Sequence, residues 1–542
     1  MKPINSTLRI KNSLLLIVFS LFSTMLSAQT APPIQWKKSF GGTKTDNAWA
    51  VDNTLDGGYI VAGGSYSSDN DVVGNHILAP YVPHDAWVIR LDSNGSVVWK
   101  KCYGAYGSEE FKDVIATADG GFFFIGETTS YQSGDVTGIF PDTCATCFNT
   151  NIWMVKTNAS GTILWEKSIG GAGHDYVRSL VQTPDGGFAF IGYSNSTNGD
   201  LTGLKPEEKV WVVKMNDTGK ILWQKIYGGS KIESPIDLKN TSDRGFVIAS
   251  IADSDDGDVN DRQGGRDTWV LKLDSIGAMQ WNKTYGGSKV DQGGGSIVES
   301  VDGGYLFVAH PQSSDGDISG NKGGSDIWMV RLDDTGKILW EKSFGGSGYD
   351  GFSKVIQTPD SGFVVAGFTA SNDGDVTVNN GPSDWWIVKT NKNGVKNWQL
   401  SIGSTFNERP YDIVLAKDGY FITGGSSGNT GDMLNTGFKG ASDYFFVKLK
   451  ENFKPTTITK AIGDKAIKVY PSPTSGLVNI ELSQGYENAE LKVYDMMGKL
   501  LQVNIKQQGA VRTVDLSQFA SGTYMIQVIY GEQASSYKVL KQ

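Results

Sequence analysis

The chain has 542 residues, with 68 Gly, 15 Trp and 24 Phe, a formal net charge of −9 and 20% charged residues. That length exceeds one ordinary domain, and Gly-rich turns between aromatic runs describe an all-β protein rather than a disordered one. No basic stripe is present to displace counterions from phosphates, so nucleic acid is not an expected partner.

The first 28 residues read as an address. Lys2, Arg9 and Lys11 form a positive start, Ser13 to Leu26 an apolar run, and Ser27 and Ala28 a small-residue end. This is the layout of a secretory signal peptide, with cleavage expected between Ala28 and Gln29. No later stretch approaches the ~20 apolar residues of a membrane helix, so no transmembrane segment is expected.

Residues 29–450 repeat one unit. Trp36, Trp99, Trp165, Trp223, Trp281, Trp340 and Trp398 recur with a period of about 60 residues. The unit from Trp281 to Trp340 contains four short runs rich in β-branched and aromatic residues, bounded by Gly and Asp turns. Four strands in each of seven repeats predict a seven-bladed β-propeller. The strand Trp36–Phe40 has no preceding partner, and Asp443–Leu449 has no following Trp strand. The first strand is therefore expected to close blade seven, which removes an exposed edge.

This order assigns the tight turns (TLDGG, TPDGG, LDDTGK) to a bottom face and the longer loops to a top face. The top face is acidic. Asp46, Glu109, Asp175, Glu233, Asp291, Asp350 and Glu408 open one strand per blade, and the long loops add Asp71, Asp135, Asp200, Asp258, Asp317, Asp375 and Asp432. The following strand opens with Asp85, Asp267, Asp326, Asp384 and Asp443, but with Asn151 and Lys209 in blades two and three. Two readings apply. Asp caps turns by accepting backbone N–H bonds, whereas clustered carboxylates could hold Ca²⁺. The calcium reading draws on Asp71, Asp85, Asp258, Asp267, Asp317, Asp326, Asp375 and Asp384; no other cofactor is expected.

Three adjacent top-face loops depart from the repeat. They bring Tyr81 and His84 in blade one, Phe140 and Phe148 in blade two, and Glu207, Glu208 and Lys209 in blade three. This arc is the expected ligand site, against the plainer reading of loop drift. Cys144 and Cys147 form a CxxC with Cys102 left over. Without a second Cys or His pair, a local disulfide or free thiols fit better than zinc. Four histidines occur without a Ser-His-Asp grouping or an HExxH string, so no catalytic residue is named.

After a linker at 451–466 the composition changes. Residues 467–542 alternate strands with Pro/Gly turns and predict a small Ig-like β-sandwich. Val469-Tyr470-Pro471, Pro473-Thr474, Gly476, Val493-Tyr494-Asp495, Gly498, Leu516, Gly522-Thr523-Tyr524 and Lys538 together resemble the type A C-terminal sorting domain of type IX secretion. Ser472 stands where that family usually has Asn. The resemblance implies passage across the outer membrane through the type IX machinery, then surface attachment or release. The repeat region also resembles DGGY-type propellers that precede such tails, a likeness that implies no activity. The leading expectation is a non-enzymatic binding or adhesion module for a glycan or protein. The alternative is a secreted polysaccharide hydrolase or lyase using top-face carboxylates.

Overall fold

The computed structural model describes residues 30–76, 84–130, 133–138, 149–205, 207–291, 295–451, 467–483, 485–486, 488–495, 500–520, 522–530 and 533–541. Within 34–450 these residues form consecutive four-stranded antiparallel sheets, and only two short 3-10 turns interrupt the β-structure. The first sheet comprises Asp46–Asn53, Tyr59–Ser65, Asp85–Leu91 and Val97–Tyr103, paired in that order. Sheets two to seven repeat it, with first strands at Glu109–Ala116, Asp175–Gln182, Glu233–Asn240, Ile297–Glu299, Asp350–Gln357 and Arg409–Ala416. The seventh takes its outer strand from the start of the chain: Ile34–Phe40 pairs antiparallel with Asp443–Lys450.

Burial follows sequence within each sheet. The third strand Asp85–Leu91 is buried throughout, whereas the outer strand Val97–Tyr103 begins exposed. The repeat tryptophans sit on the outer strands against the next sheet. A Cβ on Gly95 would meet the Trp36 ring at 2.6 Å, and one on Gly161 the Trp99 ring at 3.0 Å. Aromatic bulk thus fills the gap between neighbouring sheets.

The tight turns carry an ion pair in every sheet. A buried base from the third strand reaches the turn Asp: Arg90 to Asp56, Lys156 to Asp119 (2.8 Å), Lys214 to Asp185 (2.9 Å), Lys272 to Asp243 (2.8 Å), Arg331 to Asp302 (2.8 Å), Lys389 to Asp360 (2.9 Å) and Lys448 to Asp418 (2.7 Å). In the same turns Gly57 adopts φ +84°, a conformation open to Gly at little cost. Arg244 and Ser361 hold the equivalent place in sheets four and six at φ 68° and 62°.

The first strands of successive sheets lie against one another, and that of sheet seven lies against that of sheet one. In six of the seven sheets a bulge interrupts the first strand, between Ala48 and Ala50, Phe111 and Asp113, Val177 and Ser179, Pro235 and Asp237, Phe352 and Lys354, and Pro410 and Asp412. Residues 467–541 form two further four-stranded sheets. Val478, Ile480 and Val514 from one and Val493, Ile526 and Val528 from the other share a core.

Candidate functional site at the start of the first strands

The repeated carboxylates act first on the backbone. Asp46 accepts from the Gly42 N–H (2.8 Å), Glu109 from Ala105 (2.9 Å), Asp175 from Gly171 (2.8 Å), Glu233 from Gly229 (3.1 Å), Asp291 from Gly287 (2.6 Å), Asp350 from Gly346 (2.7 Å) and Glu408 from Ser404 (3.0 Å). The long-loop residues Asp71, Asp135, Asp200, Asp258, Asp317, Asp375 and Asp432 accept from the glycine one place earlier in each loop, at 3.0–3.3 Å. Asp71 is also paired with Lys100 and Lys439, and Asp375 with Lys322 and Lys396. Every one of these sheets therefore uses its acids to satisfy loop amides that would otherwise lack partners.

Asp85, Asp267, Asp326, Asp384 and Asp443 are fully buried, and each accepts a backbone N–H through Oδ2. Their Oδ1 atoms have no hydrogen-bond partner. Among the described residues, no group of three or more His, Cys, Asp or Glu has the geometry to hold a metal ion. Calcium at these residues would show as a drop of several degrees in the thermal midpoint in EDTA, reversed by Ca²⁺; an unchanged midpoint leaves backbone capping as their role.

Burial pushes the Asp443 carboxyl up to about 7, and those of Asp85, Asp267 and Asp326 to about 6. Each value lies above the ordinary carboxylate range, so the folded chain binds more protons than the unfolded one. Stability from these groups is complete below the unfolded pKa and is lost as pH rises to about 7. The thermal midpoint should be higher at pH 5 than at pH 8, and Asp443→Asn should narrow the difference. A midpoint that rises toward pH 8 would contradict this.

Polar residues at or near the bulges, joined by Ser296 of sheet five, link the first strands in a belt. Asp412 accepts from the Val51 N–H (2.9 Å), Asp52 from Ala116 (2.9 Å), and Asp113 from Leu180 (2.8 Å). Asp237 takes the Ser179 hydroxyl (3.2 Å), the Ser296 hydroxyl (2.8 Å) and the Ile297 N–H (3.1 Å). Ser296 then accepts from the Val355 N–H (3.2 Å), and Ser353 donates to the Pro410 carbonyl (2.5 Å). Lys239 and Lys354 reach Asp237 at 2.8 and 3.2 Å, although Lys354 belongs to sheet six and Asp237 to sheet four. Burial raises Asp52 to about 7 and Asp113 to about 6.

The bulged residues themselves are Trp49, Lys112, Arg178, Ile236, Ser353 and Tyr411. A bulge re-aims a side chain out of the strand's alternation, and here it assembles a cluster between the sheets. The Trp49 indole N–H donates to Glu110, its ring lies 4.4 Å from Tyr411, and Lys112 sits 4.8 Å over its face. Lys112 pairs with Glu110 (2.5 Å) and Glu127 (3.9 Å), and Arg178 with Glu127 (3.5 Å). Arg178 also covers the Tyr193 ring at 4.9 Å and donates to its hydroxyl at 2.8 Å, while Tyr176 stacks on Tyr193 at 4.9 Å. Arg409 lies 4.1 Å over Phe368, which stacks on Tyr349.

Most of these side chains are half-buried, so solvent reaches them. Burial raises Glu127 above the usual carboxylate range, against the pull of Lys112 and Arg178, and raises Tyr411. The cross-strand partners differ from sheet to sheet: Asn47 with Gly64, Glu110 with Glu127, Tyr176 with Tyr193, Ser234 with Ile251, Gly351 with Phe368 and Arg409 with Gly425.

Of the loop residues singled out from sequence, His84 joins the cluster. It packs 4.3 Å from Tyr66, and burial lowers its pKa despite the nearby Glu110. Glu208 acts electrostatically on Tyr193. Glu207 is exposed at φ 36° and pairs with Lys209 at 3.1 Å, and Lys209 lies beside Glu233. Tyr81, Phe140, Phe148, Ala28, Gln29, Cys144 and Cys147 lie outside the described residues, and Cys102 is a free thiol.

Residues 468–542 match the family model described as a secretion system C-terminal sorting domain. The protein is thus exported across the outer membrane to the cell surface or extracellular space, and the tail implies interaction with the type IX machinery. Among the described residues no helix is long and apolar enough to cross a membrane. No curated protein matches the chain. Solved structures that match distantly include an ulvan lyase bound to a GlcA(1-4)Rha3S oligosaccharide (8% identity, 76% of this chain and 96% of that chain, TM-score 0.42). Others are the Pan2 WD40 domain of Neurospora crassa (10%, 76% and 91%, 0.39) and a protein of unknown function from Bacteroides caccae (12%, 58% and 89%, 0.34). At these scores none bears on function.

Proposed function

We propose that residues 34–450 are a seven-bladed β-propeller of the DGGY type, closed by Ile34–Phe40, and that after export it binds a glycan without chemically altering it. Closure is supported by the pairing of Ile34–Phe40 with Asp443–Lys450 and by the belt of bonds that returns from sheet seven to sheet one. The first strands then surround a channel whose mouth lies where they begin.

The observation that carries the binding reading is the solvent-reached aromatic and polar cluster at that mouth, built on Trp49, Tyr411, Tyr176 and Tyr193. Aromatic faces beside a few placed polar groups are the common chemistry of ligand sites, and strand-borne side chains hold their geometry better than loops do. Removing an aromatic anchor from such a site costs about tenfold or more in affinity. Trp49→Ala and Tyr411→Ala should each lower affinity by that factor for whichever glycan the mature chain retains on an array, with the thermal midpoint as a check on folding. Unchanged binding in both variants would sink the reading.

One observation favours a hydrolase or lyase instead. Glu110 and Glu127 are the only facing carboxylates among the described mouth pairs, and Glu127 is held toward its protonated form. Incubation with the retained glycan separates the two readings. Constant chain length supports binding, whereas cleavage abolished by Glu110→Gln supports catalysis.

A further inference from the structure

We propose that the glycan is anionic, carrying uronate carboxylates or sulfate esters, and that Arg409 with Arg178 and Lys112 reads that charge at the mouth. The inference rests on the glycan reading above and adds the chemical class of the ligand. Its geometric basis is three cations, each lying over an aromatic face: Lys112 on Trp49 at 4.8 Å, Arg178 on Tyr193 at 4.9 Å and Arg409 on Phe368 at 4.1 Å. The Arg409 guanidinium, 4.1 Å over the Phe368 ring, keeps its N–H groups available to an oxyanion.

Among the described arginines, Arg409 stands out. Arg90 and Arg331 pair with turn carboxylates, Arg262 with Asp255 and Arg266 with Asp253, while Arg244 donates to Gln518 and Arg512 to the Ala489 carbonyl. Lys112 and Arg178 share Glu110 and Glu127. Arg409 is exposed and its guanidinium has no hydrogen bond or ion pair to any described residue. The equivalent residues of five other sheets are Asn47, Glu110, Tyr176, Ser234 and Gly351, so the fold does not require a cation there. On a chain of net charge −9, an unpaired planar cation over an aromatic platform is complementary to a carboxylate or sulfate.

The experiment titrates the full mature chain with two charged polymers and their neutral counterparts. One pair is polygalacturonate and its fully methyl-esterified form, and the other is a sulfated galactan and its desulfated form. The charged member of one pair should bind at least about tenfold tighter than its neutral partner, with the preference shrinking in high salt. Which pair shows the preference identifies carboxylate or sulfate as the source. Arg409→Gln should erase the preference, and Arg409→Lys should restore part of it. Equal binding of charged and neutral forms, or an unaffected Arg409→Gln, overturns the charge inference and leaves the glycan reading standing. Retention of none of the four polymers overturns both.

Discussion

A chain lacking Lys468–Gln542 will fold its repeated sheets and accumulate in the periplasm, with its extracellular fraction essentially lost. The sorting tail has its own core, drawn entirely from Ile467 onward, and the cores of the repeated sheets contain no residue from it. Removal therefore takes no residue from the cores of the repeated sheets and breaks the Arg244–Gln518 hydrogen bond, while it deletes the segment that addresses the outer membrane. Cell fractionation with immunoblotting measures the distribution, and the thermal midpoint of the truncated chain measures folding. Normal export of that chain would refute the role of the tail.

Asp237→Ala is expected to be the most damaging single substitution in the repeated sheets, at about 3–5 kcal/mol. The carboxylate is 1% exposed and serves Lys239, Lys354, Ser179, Ser296 and the Ile297 amide together. Its loss leaves two half-buried ammonium groups short of a counter-charge and breaks the belt between sheets three, four and five. The two lysines hold Asp237 far below the usual carboxylate range, against its burial. Lys354→Met should cost less, because Lys239 still balances the carboxylate. Urea unfolding followed by tryptophan fluorescence makes the comparison. A loss below about 1 kcal/mol for Asp237→Ala would mean that Asp113 and Asp412 absorb the orphaned charge.

Much of this architecture is legible in the chain because each repeat states the same local rule. The tryptophan period marks the outer strands, and the Gly-Gly-to-acid spacing marks the start of each first strand. The capping role of Asp46 and its counterparts follows from elementary turn chemistry. The mouth was harder to read. Sequence drew attention to loops that break the repeat, and of these His84 joins the cluster while Glu207 lies apart from it on an exposed turn.

Trp49, Lys112, Arg178 and Tyr411 sit inside regular strands instead. They are hidden there because a bulge inserts one extra residue and shifts the alternation of inward and outward positions. A period-two reading assigns them to the wrong face. The belt is concealed for a related reason. Asp52, Asp113, Asp237 and Asp412 come from four different sheets, and only the packing of the first strands against one another brings them and Lys354 together.

The pairing of Ile34–Phe40 with Asp443–Lys450 also sets the order of events as the chain folds. Joining strands roughly 400 residues apart costs about 3 kcal/mol more in loop entropy than closing a ten-residue hairpin. Sheets one to six can form as their hairpins emerge, but the seventh must wait for both ends of the repeat region. Until then Asp443–Lys450 presents an open edge, and the apolar surface at the first and seventh sheets stays wet. Completion is therefore a late, slow step that begins only when both ends of the repeat region are present.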